Sequence, residues 1–185
     1  MQIEILDRRN LAEAEALPVA ELLVRVFPRR SLDERLALFV NEWRDYRGPE
    51  AVHPRSAIVR ESGRVIAHAA ASPRTIGTSE GDLTILALAL VATDPEERGR
   101  KLGQTVVRAV FDFVDHGPFA HSLFQTSHQV RPFYEKLGAG AVANRIVNSL
   151  ADDPTLNPFW DEVVMRYPAA KHWPADEIDL RGPGW

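Results

Sequence analysis

Cysteine is absent from the 185 residues. That excludes a disulfide framework, a thiolate zinc site and a cysteine nucleophile. An excess of positive charge is missing too. The 22 Lys+Arg stand against 26 Asp+Glu, for a net charge of −4, so bulk electrostatics give no drive toward nucleic acid or an anionic membrane. The longest nearly apolar stretch, Leu83 to Ala92, is about half of the roughly 20 residues that span a bilayer. The opening MQIEILDRRN lacks the apolar core of a signal peptide, and the cytoplasm is the default expectation. Internal repeats, heptads and low-complexity tracts are also absent. So is GxxxxGK[ST], which excludes a P-loop, and Gly138-Ala139-Gly140 sits between a helix and a strand in the wrong order for a dinucleotide fingerprint. His116, His121 and His128 are not at metal-ligand spacing on one element, so no metal is expected.

What is present is the composition of a soluble globular protein, 45% apolar and 26% charged. The length suggests one domain with an appendage. Ile3 to Leu6 reads as a first strand. Val19, Leu22, Leu23 and Val26 follow Pro18 at helical spacing, and Pro18 fits the first turn of that helix. Ser31 with Glu34 forms a capping-box pattern that starts a second helix, with Leu36, Phe39, Val40 and Trp43 as its apolar stripe. Ser56 to Arg60 and Arg64 to Ser72 are strands joined by the turn Glu61-Ser62-Gly63. Leu83 to Thr93 is apolar enough for a strand buried on both faces, and Asp94-Pro95 stops it. Gly99 to His116 is an amphipathic helix. His121 to Thr126 is a short strand, Pro132 to Leu137 a short helix, and Ala141 to Leu150 a last strand. The order implies a mixed α+β domain over residues 1–152. From Pro154 onward the chain holds five of the 13 prolines and three of the four tryptophans. Disordered tails are poor in aromatics, so residues 153–185 are expected to form an ordered extension packed on the domain, with one short helix near Trp160 to Met165.

The informative stretch is Leu90-Val91-Ala92-Thr93-Asp94-Pro95-Glu96-Glu97-Arg98-Gly99-Arg100-Lys101-Leu102-Gly103. A buried strand enters a basic, glycine-containing loop that opens a long helix. A helix N-terminus leaves backbone N–H groups free and carries about half a positive charge. Arg98, Arg100 and Lys101 crowd that end, which favours a bound anion such as phosphate. The same residues also read as an ordinary solvated basic turn.

The run Val91 to Gly103 resembles the acyl-CoA-binding motif of the GNAT acyltransferase superfamily, V-x-x-x-P-x-x-R-G-x-G-x-G/A. Some 30 residues on, Phe133-Tyr134-Glu135-Lys136-Leu137-Gly138-Ala139 resembles that family's second signature, F-Y-x-x-x-G-F/A. The resemblance covers Ile3 to Leu150 and implies a mixed, mostly antiparallel central sheet flanked by helices, with splayed central strands. It implies that acetyl-CoA is the acyl donor. The edge of Val91, Ala92 and Thr93 would pair with the pantetheine arm, and the N–H of Val91 or a near neighbour would polarise the thioester carbonyl. The N–H groups of Arg98, Gly99, Arg100, Lys101, Leu102 and Gly103 would hold the pyrophosphate. Lys101 departs from the family, which usually has glycine there. Tyr134 is implied as the general acid for the leaving thiolate, a proton transfer that is slightly uphill from pKa values of about 10 and 8.5.

The base for the acceptor amine is harder to place. Many relatives carry a carboxylate on the strand that here runs from Leu83 to Thr93 without one. His68, among the small residues Ala67, Ala69, Ala70 and Ala71, is the candidate, with a satisfied structural histidine as the other reading. Trp185, closing an unusually structured Gly-Pro-Gly-Trp end, is a candidate for the acceptor groove; docking on a remote surface is the alternative. The expected activity is N-acyl transfer to a small-molecule primary amine by direct attack in a ternary complex, with neither nucleic acid nor membrane as partner and a homodimer as an option. A similarity in chain plan to aminoglycoside acetyltransferases keeps cationic antibiotics among the acceptors. A non-catalytic acyl-CoA-binding or sensor domain is the rival.

Overall fold

In the computed structural model, which describes residues 2–185, the elements run as β1 (Ile3–Asp7), α1 (Glu13–Val26), α2 (Leu32–Asn41), β2 (Arg55–Glu61), β3 (Arg64–Thr78), β4 (Gly81–Thr93), α3 (Leu102–Asp115), β5 (Ser122–Thr126), α4 (Arg131–Glu135), β6 (Gly140–Ala141), β7 (Ile146–Val147), β8 (Val163–Tyr167) and β9 (Ile178–Asp179). Contacts divide the chain into two units, Met1–Ser72 with Leu90–Asp112 and Pro73–Ala89 with Phe113–Trp185. β3, β4 and α3 each run from one unit into the other. The whole segment 153–185 lies inside the second unit, together with β5.

The first unit is an antiparallel sheet with two helices. β1 pairs with β2 from Ile3↔Val59 to Asp7↔Arg55, and β2 with β3 from Arg55↔Ala71 to Glu61↔Arg64. The connecting turn places Ser62 at φ 48° and Gly63 at φ 81°. Two successive positive φ angles match the right-handed twist of the flanking strands, which is why Ser-Gly serves here. α2 starts as its sequence indicates: the Ser31 hydroxyl accepts from the Glu34 N–H at 3.2 Å, and Glu34 Oε2 accepts from the Ser31 N–H at 2.7 Å. α1 starts earlier than expected. Glu13 and Glu15 occupy its first turn and favour the positive end of the helix dipole, which leaves Pro18 inside the helix. Val19, Leu22 and Leu23 of α1, Phe39 of α2, Ile58, Val65 and Ala92 form the core.

The second unit is built on β5. β4 runs parallel to it at Leu86↔Ser122 and Ala87↔Leu123. β8 runs antiparallel along its full length, from Ser122↔Tyr167 to Thr126↔Val163, and β6 adds to β8. β9 pairs with the end of β3 at Gly77↔Asp179 and, in parallel, with β7. Two expectations fail here. The segment near Trp160 to Met165 is not a helix: Val163, Val164 and Met165 are buried in succession on β8, where β-branched side chains and a complete ladder on β5 outweigh a weak helical period. The strand expected from Ala141 to Leu150 is cut into β6 and β7. Between them Asn144 turns its amide to the carbonyls of Pro174 and Asp176, at 3.0 and 2.6 Å, and accepts from the Trp173 indole at 2.9 Å.

The core of this unit joins Ile76, Ile85, Leu123, Phe159, Val164 and Ile178, with Trp173 and Trp185 packed against it, whereas Trp160 stays largely exposed. The fold is therefore mixed α+β, with antiparallel pairing except at β4–β5 and β7–β9. Within the second unit the β4–β5 register stops at Ala87↔Leu123 although β5 continues to Thr126, in line with strands that splay. No helix among the described residues is long and apolar enough to cross a membrane.

Candidate functional site

The first unit holds His68, Val91, Ala92, Thr93 and the whole loop from Arg98 to Gly103. The second holds Tyr134 and Trp185.

β4 departs from regular strand geometry at Leu90, whose φ is 50°. A side chain in left-handed backbone costs about 1–2 kcal/mol, so such a kink persists only where its surroundings hold it. His68 supplies the hold. Its Nδ1–H donates to the Leu90 carbonyl at 2.8 Å, which fixes the tautomer, and Nε2 accepts from the Ser56 hydroxyl at 2.9 Å. His68 and Ser56 are both sealed from solvent. Burial, helped by the nearby Arg8 charge and opposed by the bond to Leu90, pushes the His68 pKa down to about 3. The imidazole is thus neutral and has both nitrogens in use.

Asp94 ends β4 and anchors the loop. It is 1% exposed. Oδ2 accepts from Arg25 at 3.0 Å and Arg64 at 2.9 Å, and Oδ1 accepts from the Glu96 N–H at 3.2 Å. Burial alone raises its pKa, but the Glu96 amide and the two guanidinium groups outweigh it and keep the carboxyl below its ordinary range. In the sequence Asp94 marks only the end of a strand; an Asp directly before proline at the end of an apolar run is the available signal.

Beyond it, Gly99 has φ 84° and Lys101 φ 59°. These two left-handed residues turn the chain into α3. The first helical bond at this end runs from the Thr105 N–H to the Lys101 carbonyl at 3.0 Å, so the N–H groups of Leu102, Gly103 and Gln104 have no acceptor within the helix. The Arg100 guanidinium is committed elsewhere, to Glu61 at 2.9 and 3.1 Å and to Glu97. What Arg100 offers an anion is its backbone. Arg98 and Lys101 are exposed and form no ion pair among the described residues. The positive φ at residue 101 also explains why glycine suits this position.

In the second unit Tyr134 lies in α4, 5% exposed, between the rings of Phe124 at 4.6 Å and Phe133 at 4.9 Å. Burial raises its pKa above the ordinary phenol value, and the Asp161 charge adds to the rise. Among the described residues its hydroxyl has no hydrogen-bond partner, yet it is not one of the sealed polar atoms. Trp185 docks on β5. Its indole N–H donates to the Leu123 carbonyl at 3.1 Å, its main-chain oxygen accepts from Gln125 Nε2 at 2.7 Å, its ring meets Phe159 edge-on at 4.9 Å, and the Arg74 guanidinium lies 4.9 Å from the ring. Gln125 also accepts from the N–H groups of Trp160 and Asp161 at 2.9 and 2.8 Å. Gly184 permits this docking, since a Cβ there would stand 2.5 Å from the Pro158 carbonyl oxygen. No three His, Asp or Glu side chains gather as a metal ion would require, among the described residues.

A family model described as an acetyltransferase (GNAT) domain matches residues 7–142. No curated protein matches the sequence. Among solved structures, the GNAT family N-acetyltransferase YhbS from Escherichia coli, in complex with CoA, shares 16% identity over 97% of this chain and 88% of its own, with a TM-score of 0.63. Glucosamine-6-phosphate N-acetyltransferase from Arabidopsis thaliana shares 21% identity over 83% of this chain and 100% of its own, with a TM-score of 0.58. A GCN5-related N-acetyltransferase from Kribbella flavida matches 76% of this chain with 18% identity and a TM-score of 0.56, and the chain spans 33% of that longer protein. At these identities the likeness concerns the fold.

Proposed function

Because the chain belongs to the GNAT acetyltransferase family, whose members take their acyl group from acyl-CoA, we propose that it is an N-acyltransferase that moves an acetyl group from acetyl-CoA to the primary amine of a small molecule. One observation carries the reading: the left-handed pair Gly99 and Lys101 delivers the open N–H groups at the start of α3, directly after the strand end of Val91, Ala92 and Thr93. Those N–H groups, with the backbones of Arg98, Gly99 and Arg100, suit a pyrophosphate. The ammonium of Lys101 adds a charge that the usual glycine lacks.

In the proposed reaction the pantetheine arm pairs with the edge of Val91 to Thr93, and the N–H of Val91 or a near neighbour polarises the thioester carbonyl. The amine attacks that carbon, a C–N bond forms and the C–S bond breaks. The thiolate takes a proton from the Tyr134 hydroxyl, which has no hydrogen-bond partner among the described residues, and the proton that the attacking nitrogen loses on becoming an amide returns through solvent to the phenolate. The amine must shed its own proton. His68 has no free nitrogen, and β4 carries no ionisable side chain from Leu83 to Thr93, so we assign His68 to positioning of Leu90 and let the amine react as the free base. Trp185 we assign to the acceptor side.

The lack of a carboxylate from Leu83 to Thr93 and the occupied His68 also support a second reading, an acyl-CoA sensor without turnover. Melting with ligand tests what the two share. A ligand at 100 times its dissociation constant adds about 2.7 kcal/mol, and CoA and acetyl-CoA should both raise the melting temperature by several degrees. No shift at millimolar concentration removes both readings.

A further inference from the structure

Within the first unit, the buried face of α2 carries Arg35, Phe39 and, just past the helix end, Trp43, at i, i+4 and i+8, which is one side of a helix. The Arg8 guanidinium lies over the Phe39 ring, 4.3 Å from its centre, and Arg8 is 3% exposed. One end of this guanidinium donates to Glu42 at 2.6 Å. Arg35 donates to the Phe27 carbonyl at 3.2 Å. Three sealed N–H groups remain without an acceptor along this face: Arg8 Nε, Arg35 Nε and Trp43 Nε1. All three are donors, and two belong to cations. Among the described residues Glu42 is the one carboxylate bonded to either arginine, and its side chain is 47% exposed. Buried donors without acceptors are costly, and these three open donors are matched by a ligand that brings acceptors. An oxyanion does so, and charge-assisted bonds make it a better match than a neutral carbonyl.

The Phe39 ring, which lies under Arg8, also packs toward the strand end assigned to the thioester. The Phe39 ring meets the His68 ring edge-on at 5.4 Å, and His68 holds the Leu90 carbonyl at 2.8 Å, one residue before Val91. We infer that the acceptor carries an anionic group, a carboxylate or a phosphate, that accepts from Arg8 and Trp43, with Arg35 at the far end of the strip. This rests on the acyltransferase reading and deepens it: the amine would belong to an amino acid or a phosphorylated amine, and cationic aminoglycosides would be poor acceptors.

The test separates binding from turnover. Affinities of O-phosphoethanolamine, β-alanine, ethanolamine and propylamine for the CoA-loaded protein are measured by NMR ligand titration, and acetyl transfer to each is followed in a separate assay. At least one of the two amines that carry an anionic group should bind tenfold or more tighter than its counterpart without that group. Trp43→Phe, which removes one N–H and keeps an aromatic ring, and Arg8→Lys, which keeps the charge and removes the Nε donor, should each erase most of that preference. The rise in melting temperature with CoA reports on the same samples whether the variants are folded, and Trp43→Phe suffices if Arg8→Lys is not. Equal binding of the amines with and without the anionic group, or a preference that survives the substitutions, overturns the inference even if acetyl transfer occurs. Transfer to no amine at all counts against the acyltransferase reading and is read independently of the binding data.

Discussion

Tyr134 combines features that an acid catalyst needs and a packing residue does not. Its ring is held between Phe124 and Phe133, while its hydroxyl has no partner among the described residues. Burial raises its pKa, so at neutral pH it carries its proton, and the transfer to a thiolate is more uphill than from an ordinary phenol. Tyr134→Phe should leave CoA affinity nearly unchanged and lower kcat about 10²-fold or more, the ordinary contribution of general acid catalysis. Single-turnover kinetics check it, and unchanged chemistry returns Tyr134 to packing. Tyr134 was legible because a motif surrounds it. Arg8 and Leu90 were not. Arg8 follows the first strand among charged neighbours, and nothing local says that its guanidinium folds onto Phe39. Leu90 sits in an apolar run, and its left-handed backbone depends on His68, a residue 22 positions away. Side chains that act through distant partners leave no local pattern.

The elements were legible where local chemistry decides them. The Ser31–Glu34 box, the Ser62-Gly63 turn and the strand, loop and helix from β4 to α3 follow from caps, glycines and periodicity within a few residues. β8 was not legible, because its strand character comes from five rungs on β5 and not from its own sequence, which lies among prolines and tryptophans. Lys101 offers a test at this scale. Its φ of 59° strains any residue with a Cβ, by about 1 kcal/mol or more. Lys101→Gly should relieve the strain, offset in part by the added freedom of the unfolded chain, and raise stability by up to about 1 kcal/mol in urea denaturation. It should also weaken CoA binding and flatten its salt dependence, since the ammonium that the proposal sets beside the pyrophosphate is lost. A destabilised variant with unaltered CoA affinity contradicts this view of the loop.

The whole molecule stores two buried neutral histidines. Burial pushes His68 down to about 3 and His121, against the Trp173 ring, down to about 4. Unfolded histidine titrates near 6.5. Between those values the unfolded chain binds protons that the native protein does not, so stability is complete above about pH 7 and falls as the pH drops through 6. Each histidine contributes a slope of up to about 1.4 kcal/mol per pH unit. Asp94 acts in the other direction and lower down: its stabilisation, present above the unfolded carboxyl pKa of 3.8, is lost only in stronger acid. Urea midpoints should be flat from pH 8 to 7 and decline steadily from pH 6 to 5. A level profile down to pH 5 excludes two neutral buried histidines.

At the same scale stands the claim that the chain transfers an acyl group and does not merely bind its donor. The direct measurement is incubation with acetyl-CoA labelled with ¹³C in the acetyl group and a pooled library of small amines, followed by mass spectrometry. The expected result is a labelled N-acetyl product, formed in step with free CoA and reduced strongly by Tyr134→Phe. A protein that is stabilised by acetyl-CoA and yet labels no amine in the pool contradicts the enzyme reading and leaves the sensor.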